Sequence, residues 1–490
     1  LRSLETVLVA IIVLALGARV LRGSWMGSRL LGGLLALAFG AHLVFEGVRL
    51  PILPAYLAGL WCIGGLFGAA PAKPRRAGWR RALGWVGGVV TMALVAFPPA
   101  LFPIFRLPTP PGPFPIGGTI FSLADESRRE PFGPDSNAAR HLVVRAWYPA
   151  APGTGGRPMR YADPRELASP IISLLPEALT RQYRYVRTHT EYDADLADGV
   201  FPVLVFSHGY TSYLAQNTPQ MEALASQGYL VFSIGHSHDA TAVIHPDGRV
   251  ATLDPEVIAS LRGMIANQDS VMAVMGDRMA ALERAKAPEE RQAAFRAFAE
   301  MNPPRIARSA PVWAADTRHL LDQFRRADGP GGMGRFVGKL DTTRIGIFGM
   351  SFGGSNAGLV CSLDPRCKAG VNIDGQQFGD LINGSLATPF MIIASDPTIA
   401  IHRPIYDRLV GPGYLIKLVG TQHMGLTDLP YLAPWVFRTI GLTGTMPVAR
   451  SEQLMTDYLT AFFDQYLKGK VSPLLAQTGS DDVVVESKNR

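Results

Sequence analysis

Apolar residues crowd the front of the chain in four runs, Leu4 to Leu21, Leu30 to Phe45, Leu50 to Ala70 and Ala82 to Phe105. A helix that crosses a bilayer needs about 20 predominantly apolar residues, with a range of roughly 17–25. Three runs reach that length and the second is marginal, so the pattern predicts about four membrane-spanning helices over residues 1–105. One such run could be a cleaved leader, but four in succession do not fit that reading. "RLPTPPGPFPIGG" follows, a Pro- and Gly-rich linker over residues 106–118.

From about Thr119 the pattern changes. Short, nearly continuous apolar runs alternate with stretches of helical periodicity: "HLVVRAWYPA", "PVLVFSHG", "YLVFSIGH", "RIGIFGM", "KAGVNID", "PFMIIAS" and "YLIKLVG" read as strands. Strands apolar on both faces belong to a sheet covered on both sides, and intervening helices imply parallel pairing with right-handed crossovers. The expected architecture of residues 119–469 is therefore α/β, a mostly parallel central sheet with helices on both faces. Two inserts interrupt the alternation, residues 157–198 and a helical one over 255–304, and inserts of that size over a sheet often serve as lids. Residues 470–490 read as a mobile polar tail.

Charge sharpens this division. The chain carries +7 overall, but residues 1–105 hold ten Lys or Arg against two Glu, so the remainder is close to neutral. The basic character belongs to the apolar region, which argues against a nucleic-acid partner. Arg19, Arg22 and Arg29 fall between runs one and two, and Lys73, Arg75, Arg76, Arg80 and Arg81 between runs three and four. Positive loops stay cytoplasmic. The expectation is a multi-pass protein of the cytoplasmic membrane whose α/β domain lies on the extracytoplasmic side. Residues ahead of Leu1 would enter this count. The three cysteines exclude a disulfide scaffold; Cys62 sits in the third apolar run, whereas Cys361 and Cys367 share the exterior domain, where a bridge and two buried thiols are both open.

Within "RIGIFGMSFGGSNAG", a strand-type run gives way to Gly349-Met350-Ser351-Phe352-Gly353 and then to a helical stretch. A serine at a sharp strand-to-helix turn is lifted above the sheet, and glycines are needed there because side chains would strike the neighbouring backbone. Its hydroxyl needs a base, and the base needs a carboxylate to fix its tautomer. His402 and His423 are the histidines that follow Ser351; His402 lies in a probable helix and reads as a surface or lid residue. His423 sits in "LVGTQHMGLTD" directly after the last strand, where a base would be delivered. Asp374 and Asp396 end the two strands after the serine, and either could reach the imidazole. For the oxyanion, the amide of Phe352 and that of Tyr210 in "FSHGYTS" are the candidate donors. "GHSHDATAV" groups His236, His238 and Asp239, but it lacks the spacer and further histidine of binuclear zinc hydrolases, so no metal is expected.

The combination of "LVVRAWYPA", "VLVFSHG", "HSHD", "ADTRHLLDQF", "GMSFGG" and "GTQHMGLTD", spread from Phe114 to Leu467, resembles the plasma-type (isoform II) platelet-activating-factor acetylhydrolases and their bacterial relatives. The resemblance implies an α/β-hydrolase fold and hydrolysis of acyl esters without metal or organic cofactor, often of short or oxidised acyl chains on phospholipids. It also selects Asp374 over Asp396 as the acid of the triad with Ser351 and His423. The apolar front region and the two inserts depart from that family's pattern. The expected partners are a small-molecule or lipid ester and the bilayer, reached through residues 4–105. Two other readings are an esterase acting on soluble or polymeric esters and an inactive hydrolase-fold binding module. The complete residue set counts against the second.

Overall fold

The computed structural model describes residues 2–22, 29–67, 78–154, 156–168, 177–325 and 331–488. The chain divides into two units. The first comprises Leu1–Phe105 with the short segments Arg181–Val186 and Tyr431–Val436; the second is Arg106–Thr180, Arg187–Pro430 and Phe437–Arg490.

In the first unit the four apolar runs form helices Ser3–Arg22, Arg29–Ala41, Leu53–Phe67 and Gly78–Leu101. The expectation of four spans is not supported. Leu50–Phe67 and Ala82–Leu101 are long and apolar enough to cross a membrane, whereas the apolar parts of the other two, Ser3–Ala18 and Leu30–Glu46, are shorter. At about 1.5 Å per residue, sixteen residues reach about 24 Å against a hydrocarbon thickness of about 30 Å. The loop residues 23–28 and 68–77, which carry Lys73, Arg75 and Arg76 of the charge argument, lie outside the described residues. Polar groups gather where the helix ends meet. Arg49 and Glu5 form a fully buried pair at 2.6 Å, and Arg49 Nε donates to Gln182 at 2.9 Å. His42 is buried between Glu46 at 3.0 Å and the Tyr56 hydroxyl at 2.9 Å.

The second unit is built on the strands β1 (Ile116–Arg129), β2 (Ala139–Pro149), β3 (Arg157–Arg160), β4 (Arg187–Tyr192), β5 (Phe201–Ser207), β6 (Leu230–Gly235), β7 (Ala242–Ile244), β8 (Val250–Thr252), β9 (Leu340–Met350), β10 (Cys367–Ile373), β11 (Phe390–Ser395), β12 (Gly413–Leu418), β13 (Gly479–Ser480) and β14 (Val483–Lys488). Among the described residues these make one large sheet in the order β13-β14-β12-β11-β10-β9-β5-β6-β2-β1-β4-β3 and a separate β7-β8 hairpin. From β6 to β12 all neighbours are parallel, and β2 joins β6 antiparallel.

Helices cover both faces, as the apolar runs require. Along β5, Val203 and Val205 face one core layer with Trp313 and Leu320 from the helix Pro304–Gln323. Leu204 and Phe206 face the other, packing with Met221 from Thr218–Ser226 and Phe463 from Val448–Lys468. This is the α/β-hydrolase architecture expected from the alternation of elements.

The C-terminal segment differs from expectation, and the inserts and cysteines take definite form. Residues 470–488 are no tail: β14 pairs antiparallel with β12 and buries Val483 and Val485 on either side of exposed Val484. The first insert contributes β3 and β4, which extend the sheet edge beyond β1, with residues 169–176 outside the described set. The second is helical as expected, with Pro255–Ala266, Gln268–Arg284 and Pro288–Ala299. Each begins at or near a proline that its first turn tolerates, the second excepted. Cys361 and Cys367 are bridged, tying the end of the helix Phe352–Leu363 to the start of β10.

Candidate active site

The candidate residues converge on the carboxyl edge of the parallel strands because each follows the end of one: the 208–210 loop after β5, Ser351 after β9, Asp374 after β10 and His423 after β12. Open α/β sheets bind their ligands at this edge.

Steric demand at the serine turn accounts for its glycines. A Cβ on Gly353 would lie 1.9 Å from the Ser207 carbonyl oxygen, and one on Gly349 would lie 2.3 Å from the Gly353 backbone. With those positions bare, β9 turns directly into the helix Phe352–Leu363, and Ser351 is forced to φ 54°, ψ −120°. A non-glycine residue in that region stores strain of order 1–3 kcal/mol. The turn is fastened by the Ser351 amide, which donates to the Ile373 carbonyl at 2.7 Å.

Asp374 sits in a second tight turn, also at positive φ (57°). Asn372 closes it by accepting from the Gly375 amide at 2.7 Å and donating to the Gly375 carbonyl at 2.8 Å. Gly375 is obligatory, since a Cβ would fall 1.9 Å from the Ser351 carbonyl oxygen. The two turns therefore lock against each other, which explains why serine and acid occupy ends of adjacent strands.

His423 bridges them. Its Nδ1 lies 2.8 Å from Asp374 Oδ2 and its Nε2 lies 3.1 Å from Ser351 Oγ. With the carboxylate on Nδ1, that nitrogen carries the proton and Nε2 is left to accept from the serine. Burial would push the Asp374 carboxyl up, but hydrogen bonds from His402 and His423 and their charge hold it well below the usual carboxylate range. Asp396 is elsewhere: it accepts from the Gly420 amide at 3.0 Å and pairs with Lys417 at 3.2 Å.

The loop after β5 comes close to the serine, for a Cβ on Gly209 would lie 3.4 Å from Ser351 Cβ. Gln216 holds this loop by accepting from the Gly209 amide at 2.6 Å. Among the described residues neither the Tyr210 nor the Phe352 amide donates to another protein atom. Their rings pack together with centroids 5.3 Å apart. His208 is buried behind the loop. Burial and neighbouring His236 lower its pKa to about 3, so it stays neutral, with Nδ1 donating to the Gly209 carbonyl at 2.7 Å.

The "HSHD" side chains diverge. His236 stacks on Trp313 at 3.7 Å and lies between Asp316 (2.9 Å) and the Ser207 hydroxyl (3.1 Å). Asp239 accepts from Trp313 Nε1 at 2.8 Å, and His238 faces the Thr252 carbonyl. Asp316, from "ADTRHLLDQF", is the buried anchor of this support and pairs with Arg140 at 2.7 Å. Asn356 of the helix after Ser351 donates to Ser207 at 3.0 Å, so the network reaches the serine turn.

Sequence reasoning missed the surroundings of Asp374. His402, read as a surface or lid residue, is buried and its Nε2 lies 3.2 Å from Asp374 Oδ1. Ser395 donates to the same carboxylate through its amide at 2.9 Å and its hydroxyl at 2.8 Å, and the Thr398 hydroxyl also donates. A signal for His402 existed, because it lies three residues from both Ile399 and Ile405 and so shares their helix face.

No protein-family model matches the chain. A curated relative from Arthroderma benhamiae (strain ATCC MYA-4681 / CBS 112371), a probable 1-alkyl-2-acetylglycerophosphocholine esterase, is 24% identical over 428 residues, covering 80% of this chain and 96% of its own length. The ferulic acid esterase from Streptomyces cinnamoneus superposes with a TM-score of 0.58 at 24% identity, covering 78% of this chain and 98% of its own. The resemblance to the platelet-activating-factor acetylhydrolases is thus shared by a curated relative of that activity, and the sheet architecture by a solved hydrolase fold.

Proposed function

We propose that the chain is a serine carboxylester hydrolase that removes short acyl groups from glycerophospholipid-type esters. Ser351 is the nucleophile, His423 the general base and Asp374 the residue that orients it. The observation carrying this reading is the continuous Ser351–His423–Asp374 hydrogen-bond chain at 3.1 and 2.8 Å, raised on a strained strand-to-helix turn.

In this mechanism Ser351 Oγ attacks the ester carbonyl while its proton passes to His423 Nε2. The amides of Tyr210 and Phe352, unoccupied by protein acceptors, donate to the developing oxyanion. Cleavage of the ester C–O bond releases the alcohol, which takes the proton from His423. A water then gives a proton to His423 and attacks the acyl carbon. Collapse of that second intermediate frees the carboxylic acid and returns the proton to Ser351.

The substrate class rests on the name of the curated relative, and membrane tethering fits a lipid ester. The two long apolar helices support attachment to a bilayer, and the Cys361–Cys367 bridge suits an oxidising, extracytoplasmic compartment. The test is hydrolysis by the full chain in detergent of glycerophospholipids whose sn-2 acyl group ranges from acetyl to palmitoyl, beside soluble aryl esters of the same acids. Faster turnover of the acetyl lipid than of both the palmitoyl lipid and aryl acetate is expected. Preference for the aryl ester at every length would move the substrate to soluble esters.

A further inference from the structure

Asp374 is held between two imidazoles, and only His423 of the pair faces Ser351. Its Oδ1 accepts from the Ser395 amide, the Thr398 hydroxyl and His402 Nε2, whereas Oδ2 accepts from the Ser395 hydroxyl and His423 Nδ1. A carboxylate oxygen offers about two lone-pair sites, so three fixed donors saturate Oδ1, whereas Oδ2 holds the Ser395 hydroxyl and keeps one site for the base. We infer that His402 is a positioning residue of the catalytic site, fixing the plane of the Asp374 carboxylate so that Oδ2 stays aimed at His423. This rests on the triad reading above.

The placement of His402 is specific. It comes from the helix Ile399–Asp407, which packs beside the strand following the acid, and it is buried to 2% exposure. The charged groups on and around that helix are engaged elsewhere: Arg403 with Glu486 at 2.5 Å, Asp407 with Arg291 at 2.5 Å and Asp396 with Lys417 at 3.2 Å. His402 and His423 are thus the titratable groups that Asp374 meets. A buried imidazole could have been satisfied by a backbone carbonyl. Here it is spent on the acid, whose orientation must hold within about 0.5 Å for productive geometry.

The experiment compares His402→Phe, which keeps ring volume but donates no hydrogen bond, with His402→Gln, whose amide N–H can reach Oδ1. Both are made in the full chain and assayed on p-nitrophenyl acetate with wild type and Ser351→Ala. The expected result is a kcat lowered about ten- to a hundredfold in the Phe variant, of the size that small misplacements produce. KM should stay within about twofold, and the Gln variant should recover most of the loss. Should the Phe variant not fold, His402→Asn, with an amide too short to reach Oδ1, takes its place. Wild-type kcat in the Phe or Asn variant, or equal loss in the Gln variant at an unchanged folded fraction, overturns the inference. Activity in wild type that persists in Ser351→Ala overturns the triad reading itself, a result the His402 variants alone cannot produce.

Discussion

Exchanging Asp374 for Asn removes the charge that fixes the tautomer of His423 while leaving volume and most hydrogen bonds in place. In the native site His423 Nδ1–H donates to Oδ2 at 2.8 Å. In Asp374→Asn a carboxamide oxygen on the Oδ1 side can still accept from Ser395 and His402, which then leaves an NH2 group against His423. That group cannot accept from Nδ1–H, so the imidazole protonates at Nε2 and presents a donor to Ser351 instead of an acceptor. The corresponding exchange in Ser-His-Asp hydrolases costs about 10⁴ in kcat, equivalent to about 5.4 kcal/mol of barrier. Asp396→Asn is the control. Its partner Lys417 is partly exposed and the bridge spans 3.2 Å, an arrangement worth about 1 kcal/mol or less, so kcat should stay within about twofold. Burst-free initial rates on p-nitrophenyl acetate, with thermal melts to verify folding, decide between them. Equal loss in both variants, or loss in Asp396→Asn alone, would refute the assignment.

Removing the Cys361–Cys367 bridge in the double Ser variant opens a short loop with a sequence separation of six; chain entropy for a loop of that size predicts a stability loss of about 2 kcal/mol, read as a lower urea midpoint at unchanged slope. Asp428 is buried against the Tyr161 hydroxyl at 2.8 Å and burial pushes its carboxyl up to about 7. Between an unfolded value of about 3.9 and that raised value the folded state binds more protons, so this group's contribution falls as pH rises across the window, by about 4 kcal/mol at most. Asp428→Asn should therefore gain in melting temperature over wild type at pH 8 and show little gain at pH 4; a gain independent of pH would rule this out.

The places of Ser351 and His423 in the candidate site were legible because each is tied to a short local pattern: a strand ending in glycines, and a histidine just after the last strand. The choice between Asp374 and Asp396 was not, since both end parallel strands. What separates them is the direction each side chain takes, and that depends on the Asn372–Gly375 turn and on Ser395 rather than on strand position. His402 was misread because its partner lies 28 residues away on another element, although its helix face was readable. The C-terminal strand was lost for a related reason. Val483 and Val485 carry the alternation of a strand with one covered face, but two buried valines among polar neighbours bury too little surface to declare themselves without β12 beside them. Composition overstated the membrane part, because apolar runs one and two carry the same residue types as runs three and four while their apolar helical parts, Ser3–Ala18 and Leu30–Glu46, are shorter.

Ser351 as an activated nucleophile is tested by covalent labelling of the full chain with a fluorophosphonate, followed by intact mass and peptide mapping. One adduct per chain on Ser351 is expected, with none in Ser351→Ala and labelling slowed at least about a thousandfold in His423→Ala. A chain that hydrolyses esters yet takes no label at Ser351, or takes it on another residue, would rule out Ser351 as the nucleophile.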